Sequence, residues 1–220
     1  MEELIIVGAG GFGREVMQYT QDAFAHNPNV RIKGFLDDNP DSLANHTLAF
    51  QILGNTSDYV IQENDRFIVA LGNPEIYQTL VERLARRGAK FFTLVHPLAY
   101  VAPTAKLGQG CMIAPFAVVG PFAVLEDHVS LNVYASVGHD THVESYCVLT
   151  PYAVINGYVT LEQRVFLGTQ AIVLAGKRVG KGSKISAGAV AYRNIPANSL
   201  VVGNPGKARV MFSERSETAG

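Results

Sequence analysis

Two histidines and an acid stand close together in GHDTHV. His139 and His142 are three residues apart, with Asp140 between them. Three chemistries could use such a set. The residues could ligate a metal, form a base with an orienting carboxylate, or be surface histidines in a turn. A second cluster lies at the N-terminus, where LIIVGAGGFGREV carries Gly8, Gly10, Gly11 and Gly13 between an apolar run and a helical pattern. This is G-x-G-x-x-G in strand–turn–helix context. It lets backbone N–H groups and a helix N-terminus approach phosphate. RIKGFLDD ends at Asp37 and Asp38, where the ribose or base of a nucleotide could bind.

The elements that must position the histidines are set by a repeat. Stepping by six from Val101 to Ile185 gives fifteen consecutive Val, Leu or Ile residues. Two residues before each lies a smaller set: Ala99, Ala105, Cys111, Ala117, Ala123, Val129, Ala135, Thr141, Cys147 and so on, with Lys177 the clear misfit. A period of six does not keep one face of a helix on a core. It suits short strands joined by turns, three strands to a coil of 18 residues. Residues 101–190 then make five coils, stacked at ~4.8 Å or roughly 24 Å in all.

Residues 18 apart stack in such a coil. Gly157 therefore lies above His139, Asn156 above Gly138, and Tyr158 above Asp140. A bare glycine over a corner histidine leaves room for a ligand. His142 falls in another column, between Val124 and Thr160. No two of His128, His139 and His142 lie a coil apart, so no metal is expected. A lone turn histidine is more often a surface residue than a catalyst. The adjacent acid and the glycine above favour His139 as a base.

The N-terminal part reads as strands at the apolar run LIIV, at RIKGFLDD and at residues 66–72, and a helix over 75–87 ending at Gly88. FFTLVHP reads as a fourth strand leading to the repeat. About 95 residues precede the repeat, half of a full dinucleotide fold, which suits a mononucleotide better than NAD. The expected domains are 1–97, a Rossmann-like α/β unit that binds a nucleotide-sugar, and 98–220, a β-helix with a tail. The net charge of −1 gives no nucleic-acid or anionic-membrane surface, and no apolar stretch reaches membrane-spanning length. The acidic start with a four-residue apolar run is not a signal peptide, so a cytoplasmic protein is expected. Cys111 and Cys147 fill inward slots of the repeat, so neither a disulfide nor an acyl-cysteine is expected.

The segments IIVGAGGFGREV, GFLDD, ALGNPEIY, LVHPLAYVAPTAKLGQG, NVYASVGHD and VVGNPGKAR together resemble the bacterial sugar O-/N-acetyltransferases of the NeuD/PglD type. The likeness spans nearly the whole chain. It implies a left-handed parallel β-helix after the α/β half-domain, and direct acetyl transfer from acetyl-CoA, a co-substrate, with no permanently bound cofactor. It makes His139 the base and Asp140 its orienting neighbour. Gly8, Gly10, Gly11, Phe12, Gly13, Asp37, Asp38, Gly72, Asn73 and Asn132 would hold the nucleotide-linked sugar. Asn156, Gly157, Gly203, Pro205 and Lys207 would hold acetyl-CoA, with the Gly157 amide facing the thioester carbonyl. Phe12 and Val148 stand where bacillosamine-pathway relatives carry histidine. The amino group of a nucleotide-linked sugar is the expected acceptor. The alternatives are a sugar hydroxyl, or binding without catalysis. Aromatic rows such as Phe116, Tyr134 and Tyr152 suit a cleft or subunit contact, and the family implies a homotrimer whose active sites lie between neighbours.

Overall fold

The computed structural model describes residues 1–25 and 27–211; the tail 212–220 of the expected second domain lies outside the described residues. The chain begins with a parallel sheet of four strands in the order β3-β2-β1-β4. These are β1 (Glu2–Val7), β2 (Val30–Leu36), β3 (Ile52–Gly54) and β4 (Asp65–Val69). Leu4 and Ile6 pack with α1 (Gly11–Phe24), while Ile5 and Val7 pack with α2 (Pro74–Arg86). Alternation along β1 thus gives each sheet face its own helix. The short strand β3 was not expected from the sequence.

A triangular left-handed prism follows. Its inward residues are the period-six ladder, and the register is 18 residues, as in Ser136↔Val154 and Val137↔Ile155. The prism is longer than the five coils expected over 101–190. Its first face starts at Leu94–Val95, which pairs with Met112–Ile113, and runs on to Ser199–Val202. That face closes with an antiparallel strand at Lys207–Val210. The expected fourth strand, FFTLVHP, therefore divides. Phe91 makes one isolated bridge to Phe67, and Leu94–Val95 belongs to the prism.

The three faces differ in what their outward residues meet. On the first face Met112, Ser130 and Val148 are buried. Met112 joins the α1 cluster and Val148 the α2 cluster, so the α/β unit sits on this face. The second face, from Tyr100–Val101 to Val190–Ala191, points Tyr100 and Val118 to solvent. The third, from Lys106–Leu107 to Arg178–Val179, carries Lys106, His142 and Arg178 outward.

The residue three beyond each inward position, from Gly110 to Gly188, has φ between 54° and 68°. Non-glycine residues resist this left-handed region, yet ten of these corners carry side chains. The turn demands the conformation and the stacked coils hold it. Corner side chains consequently form columns. Phe116, Tyr134 and Tyr152 stack with ring centroids 4.9 Å apart. No described helix is long and apolar enough to cross a membrane.

Candidate functional site

His139 lies on the corner between the second and third faces, two residues past inward Val137. Its neighbour Asp140 holds φ 54°, and the carboxylate folds back so that Oδ2 is 2.8 Å from His139 Nδ1. A carboxylate can only accept, so this contact keeps the proton on Nδ1 and presents the Nε2 lone pair. The Tyr158 ring meets the imidazole edge-on at 5.1 Å and 89°, and its backbone N–H donates to the His139 carbonyl. Above the imidazole is Gly157. A Cβ there would come within 2.6 Å of His139 Cε1 and Nε2, so only glycine leaves the ring its place.

The other two histidines of the repeat do different work. His142 Nε2 is 3.0 Å from Glu126 Oε1, while Glu126 Oε2 accepts from the Ser145 N–H and hydroxyl in the next coil. Glu144 accepts from the Gln163 N–H and Glu162 from the Lys181 N–H in the same way. His142 therefore partners one carboxylate in a column that ties successive coils together. His128 is buried among Phe91, Tyr77 and a parallel Tyr146, and burial pushes its pKa down to about 4. Among the described residues no three His, Cys, Asp or Glu side chains are grouped to hold a metal. The two thiols donate to the Glu126 and Glu162 carbonyls, and burial pushes Cys111 up to about 11 and raises Cys147 as well.

The glycine loop links β1 to α1. Gly13 packs so closely on the Gly8 carbonyl that no side chain fits, whereas Gly10 has nothing within 4 Å of a Cβ position. One glycine thus serves helix–strand packing and another leaves an open approach. The N-cap of α1 has no side-chain hydrogen bond and its first turn has no acid. Asp37 does not stand free beside this loop. Its Oδ2 accepts from the Ala9 N–H at 2.6 Å and its Oδ1 from the Asn39 N–H at 2.8 Å. Arg14 reaches back from α1 to the Ala9 carbonyl at 3.3 Å, so both sides of this residue's backbone are held.

Asp38 accepts from the Thr56 N–H and hydroxyl and pairs with Arg83 at 3.3 Å. Burial opposes ionisation there, but the Thr56 bonds and the Arg83 charge outweigh it and hold the carboxyl below its usual range. Gly72 is open, and Asn73 Oδ1 caps α2 through the Glu75 and Ile76 N–H groups. Asn132 Oδ1 accepts from the N–H of Val133, which packs in the same cluster as Phe12.

Gly203 and Pro205 lie in the turn before the last strand, which Lys207 begins. That hairpin borders a groove of about 360 Å³ lined by Leu200, Val202, Lys207, Arg209 and Met211. These groups are therefore dispersed. The α/β unit covers the first face, and His139 is on the opposite edge of the triangle. Sequence reasoning gave no role to Arg14 or Arg209, although both lie inside the segments that carry the resemblance, and it placed Tyr158 only by its column.

Residues 3–84 match the family described as the PglD N-terminal domain. Among solved structures, the chain is similar to the acetyltransferase domain of PglB from Neisseria gonorrhoeae in complex with acetyl coenzyme A. Identity is 32%, TM-score 0.84, and coverage 94% of this chain and 98% of that one. It is also similar to PerB from Caulobacter crescentus in complex with CoA and GDP-perosamine, at 25% identity, TM-score 0.85 and coverage of 95% and 98%. A curated 2,3,4,5-tetrahydropyridine-2,6-dicarboxylate N-acetyltransferase of Staphylococcus aureus is 41% identical over 54 residues, 24% of this chain. The match spans about a quarter of that relative's length, 23%.

Proposed function

This chain belongs to the hexapeptide-repeat sugar acetyltransferases of the NeuD/PglD type, and we propose that it moves an acetyl group from acetyl-CoA to the amino group of a nucleotide-linked amino sugar. The observation that carries the reading is His139, oriented by Asp140 and seated against Gly157, whose missing side chain leaves the imidazole its place. The similarity to proteins solved with acetyl coenzyme A, and with CoA and GDP-perosamine, supplies the ligand classes.

In this reading the acceptor amine attacks the thioester carbonyl carbon. The new N–C bond forms as His139 Nε2 takes the amine's proton. General-base help of this kind contributes about 10²–10⁴-fold. The carbonyl oxygen becomes an oxyanion, met by the Gly157 N–H, a donor worth on the order of 3 kcal/mol. The intermediate collapses, the C–S bond breaks, and His139 returns the proton to the CoA thiolate. No protein nucleophile is needed, in keeping with two buried thiols of raised pKa.

The acceptor's nucleotide would lie on the α/β unit, residues 1–97, at Gly8, Gly10, Gly11, Phe12, Gly13, Asp38 and Gly72, with Asn73 and Asn132 at the margin. Asn156, Gly157 and the Gly203–Pro205–Lys207 turn of residues 98–220 would hold acetyl-CoA. His139 and the glycine loop sit on opposite sides of one prism. We therefore assign the complete site to two chains of a homotrimer, working in the cytoplasm, with exposed Tyr100, Phe122, Tyr158 and the Phe116 column available to the contact. Acetyl-CoA consumption across a panel of nucleotide-linked amino sugars and their hydroxyl analogues tests the proposal. Turnover confined to the hydroxyl sugars would make the chain an O-acetyltransferase. Binding of the sugars without any turnover would leave a non-catalytic module.

A further inference from the structure

Thr141 is the one residue at the His139 corner whose chemistry does not fit its slot. The small inward positions of this column are Ala105, Ala123, Thr141 and Val159, with the misfit Lys177 at its far end. Thr141 is 1% exposed, so its hydroxyl is closed off among apolar neighbours, and a buried hydroxyl is tolerated only when bonded. Its Oγ1 donates to the carbonyl of Asn156, one coil above, at 3.0 Å, and lies 3.4 Å from the His139 carbonyl.

The Asn156 carbonyl belongs to the same planar trans peptide as the Gly157 N–H, so the two point in opposite directions. With the carbonyl drawn inward to Thr141, the N–H is turned outward, away from the prism interior, on the residue that lies against the His139 ring. Beneath this peptide is Gly138, where a Cβ would approach the Asn156 carbonyl carbon and the Gly157 nitrogen to 2.5 Å. The peptide is thus seated on a bare glycine and anchored by one hydroxyl. The fold uses the same slot-to-carbonyl bond elsewhere with weaker donors, from Cys111 to Glu126 and from Cys147 to Glu162.

We propose that Thr141 is a positioning residue for acetyl transfer: its hydroxyl fixes the Asn156–Gly157 peptide so that the Gly157 N–H stays aimed at the developing oxyanion. This rests on the roles given above to His139 and Gly157. An anchored dipole needs no reorganisation when charge develops, and that is the source of its catalytic value. Thr141 itself touches neither substrate nor reacting atom.

Thr141→Val keeps the shape and removes the donor. Thr141→Ser keeps the donor, and Thr141→Cys weakens it. The expected result is a fall of about 10-fold in kcat for Thr141→Val, with the KM for acetyl-CoA within about twofold and no loss of melting temperature. Thr141→Ser should return to within about threefold of the parent, with Thr141→Cys between Ser and Val. Unchanged kcat in Thr141→Val, or a Ser variant no better than Val, overturns the proposal. A loss that tracks melting temperature across the three also overturns it. Should Thr141→Val fail to fold, equal kcat for the Ser and Cys variants overturns it, and a higher value for Ser supports it. His139→Ala in the same assay separates the two readings. If it turns over normally, the reading on which Thr141 depends falls as well. If it is inactive while Thr141→Val is unaffected, only the role of Thr141 falls.

Discussion

His139 Nδ1 and Asp140 Oδ2 are 2.8 Å apart although the two residues are adjacent in the chain. The left-handed backbone of Asp140, φ 54°, allows this, because it turns the acid's side chain back toward the preceding ring. Both groups are borne by one rigid corner. His139→Ala should therefore lower kcat by at least about 10²-fold while acetyl-CoA binding, followed by calorimetry, stays near the parent. His142→Ala removes only a partner of Glu126 and should keep near-parental turnover. Equal losses in the two variants would return the histidines to a shared role.

Gly157→Ala should abolish most turnover and leave the fold intact. The glycine is outside the left-handed region, so alanine suits its backbone, and the added methyl meets the His139 ring at 2.6 Å. The ring must swing aside. A drop in kcat of at least about 10-fold with an unchanged melting curve is expected. Parental kcat would show that the imidazole has no fixed place.

Acid should weaken the fold through His128. Its pKa falls from 6.5 in the unfolded chain to about 4 in the folded one because burial disfavours the charged ring. Between those values the unfolded state binds the proton and the folded state does not. Stability is therefore full above about pH 6.5 and declines as pH falls toward 4, by on the order of 3 kcal/mol from this group. Urea unfolding between pH 7 and pH 4.5 measures it. His128→Phe, at a corner type that already accepts Phe116 and Phe122, should flatten the slope. A slope identical to the parent's would assign the acid sensitivity elsewhere.

Asp37→Asn should weaken phosphate binding more than nucleoside binding. Both carboxylate oxygens already accept backbone N–H groups, one of them on Ala9 inside the glycine loop. An amide can serve only one of these donors, so the loop loosens. Titration with inorganic pyrophosphate and with the bare nucleosides should show about a 10-fold loss for pyrophosphate and little change for nucleosides. The reverse pattern would make Asp37 a direct contact to ribose or base.

Mixed assemblies test whether two chains share a site. His139→Ala lacks the base, and Gly10→Glu puts a negative charge in the open space of the loop. Co-expressed, the two inactive variants should regain activity at heterologous junctions if one chain binds the acceptor and its neighbour supplies His139. Light scattering should give about three times the 23.7 kDa chain mass. A fully active species of a single chain mass would refute both assembly and sharing.

The prism was legible because each coil repeats one physical demand, an inward aliphatic residue every sixth position. Its ends were less so. Near the start, Leu94 faces α1 while Val95 continues the ladder, so an apolar run reads equally well as an α/β strand. Past Ile185 the ladder gives way to Ala191, and Ile195 and Val201 complete the core out of step. The corner pairing of His139 with Gly157 follows from counting 18, and the structure places them in contact. What spacing could not give was the use of polar atoms. Acids at the end of β2 read as nucleotide contacts, yet Asp37 is bonded to the loop beside it. Thr141 read as one more small residue, because its hydroxyl matters only through a carbonyl in another coil.

The coil register has a consequence for how such a chain can change length. Every side-chain column, and every carboxylate that binds the N–H of the next coil, refers only to the turn immediately above or below. A whole turn inserted or deleted well away from residues 138–158 would therefore be a nearly silent edit for His139 and Gly157. An insertion of one or two residues would put every later column out of phase. Length in this protein is quantised, and natural variants should differ in the prism by multiples of one turn.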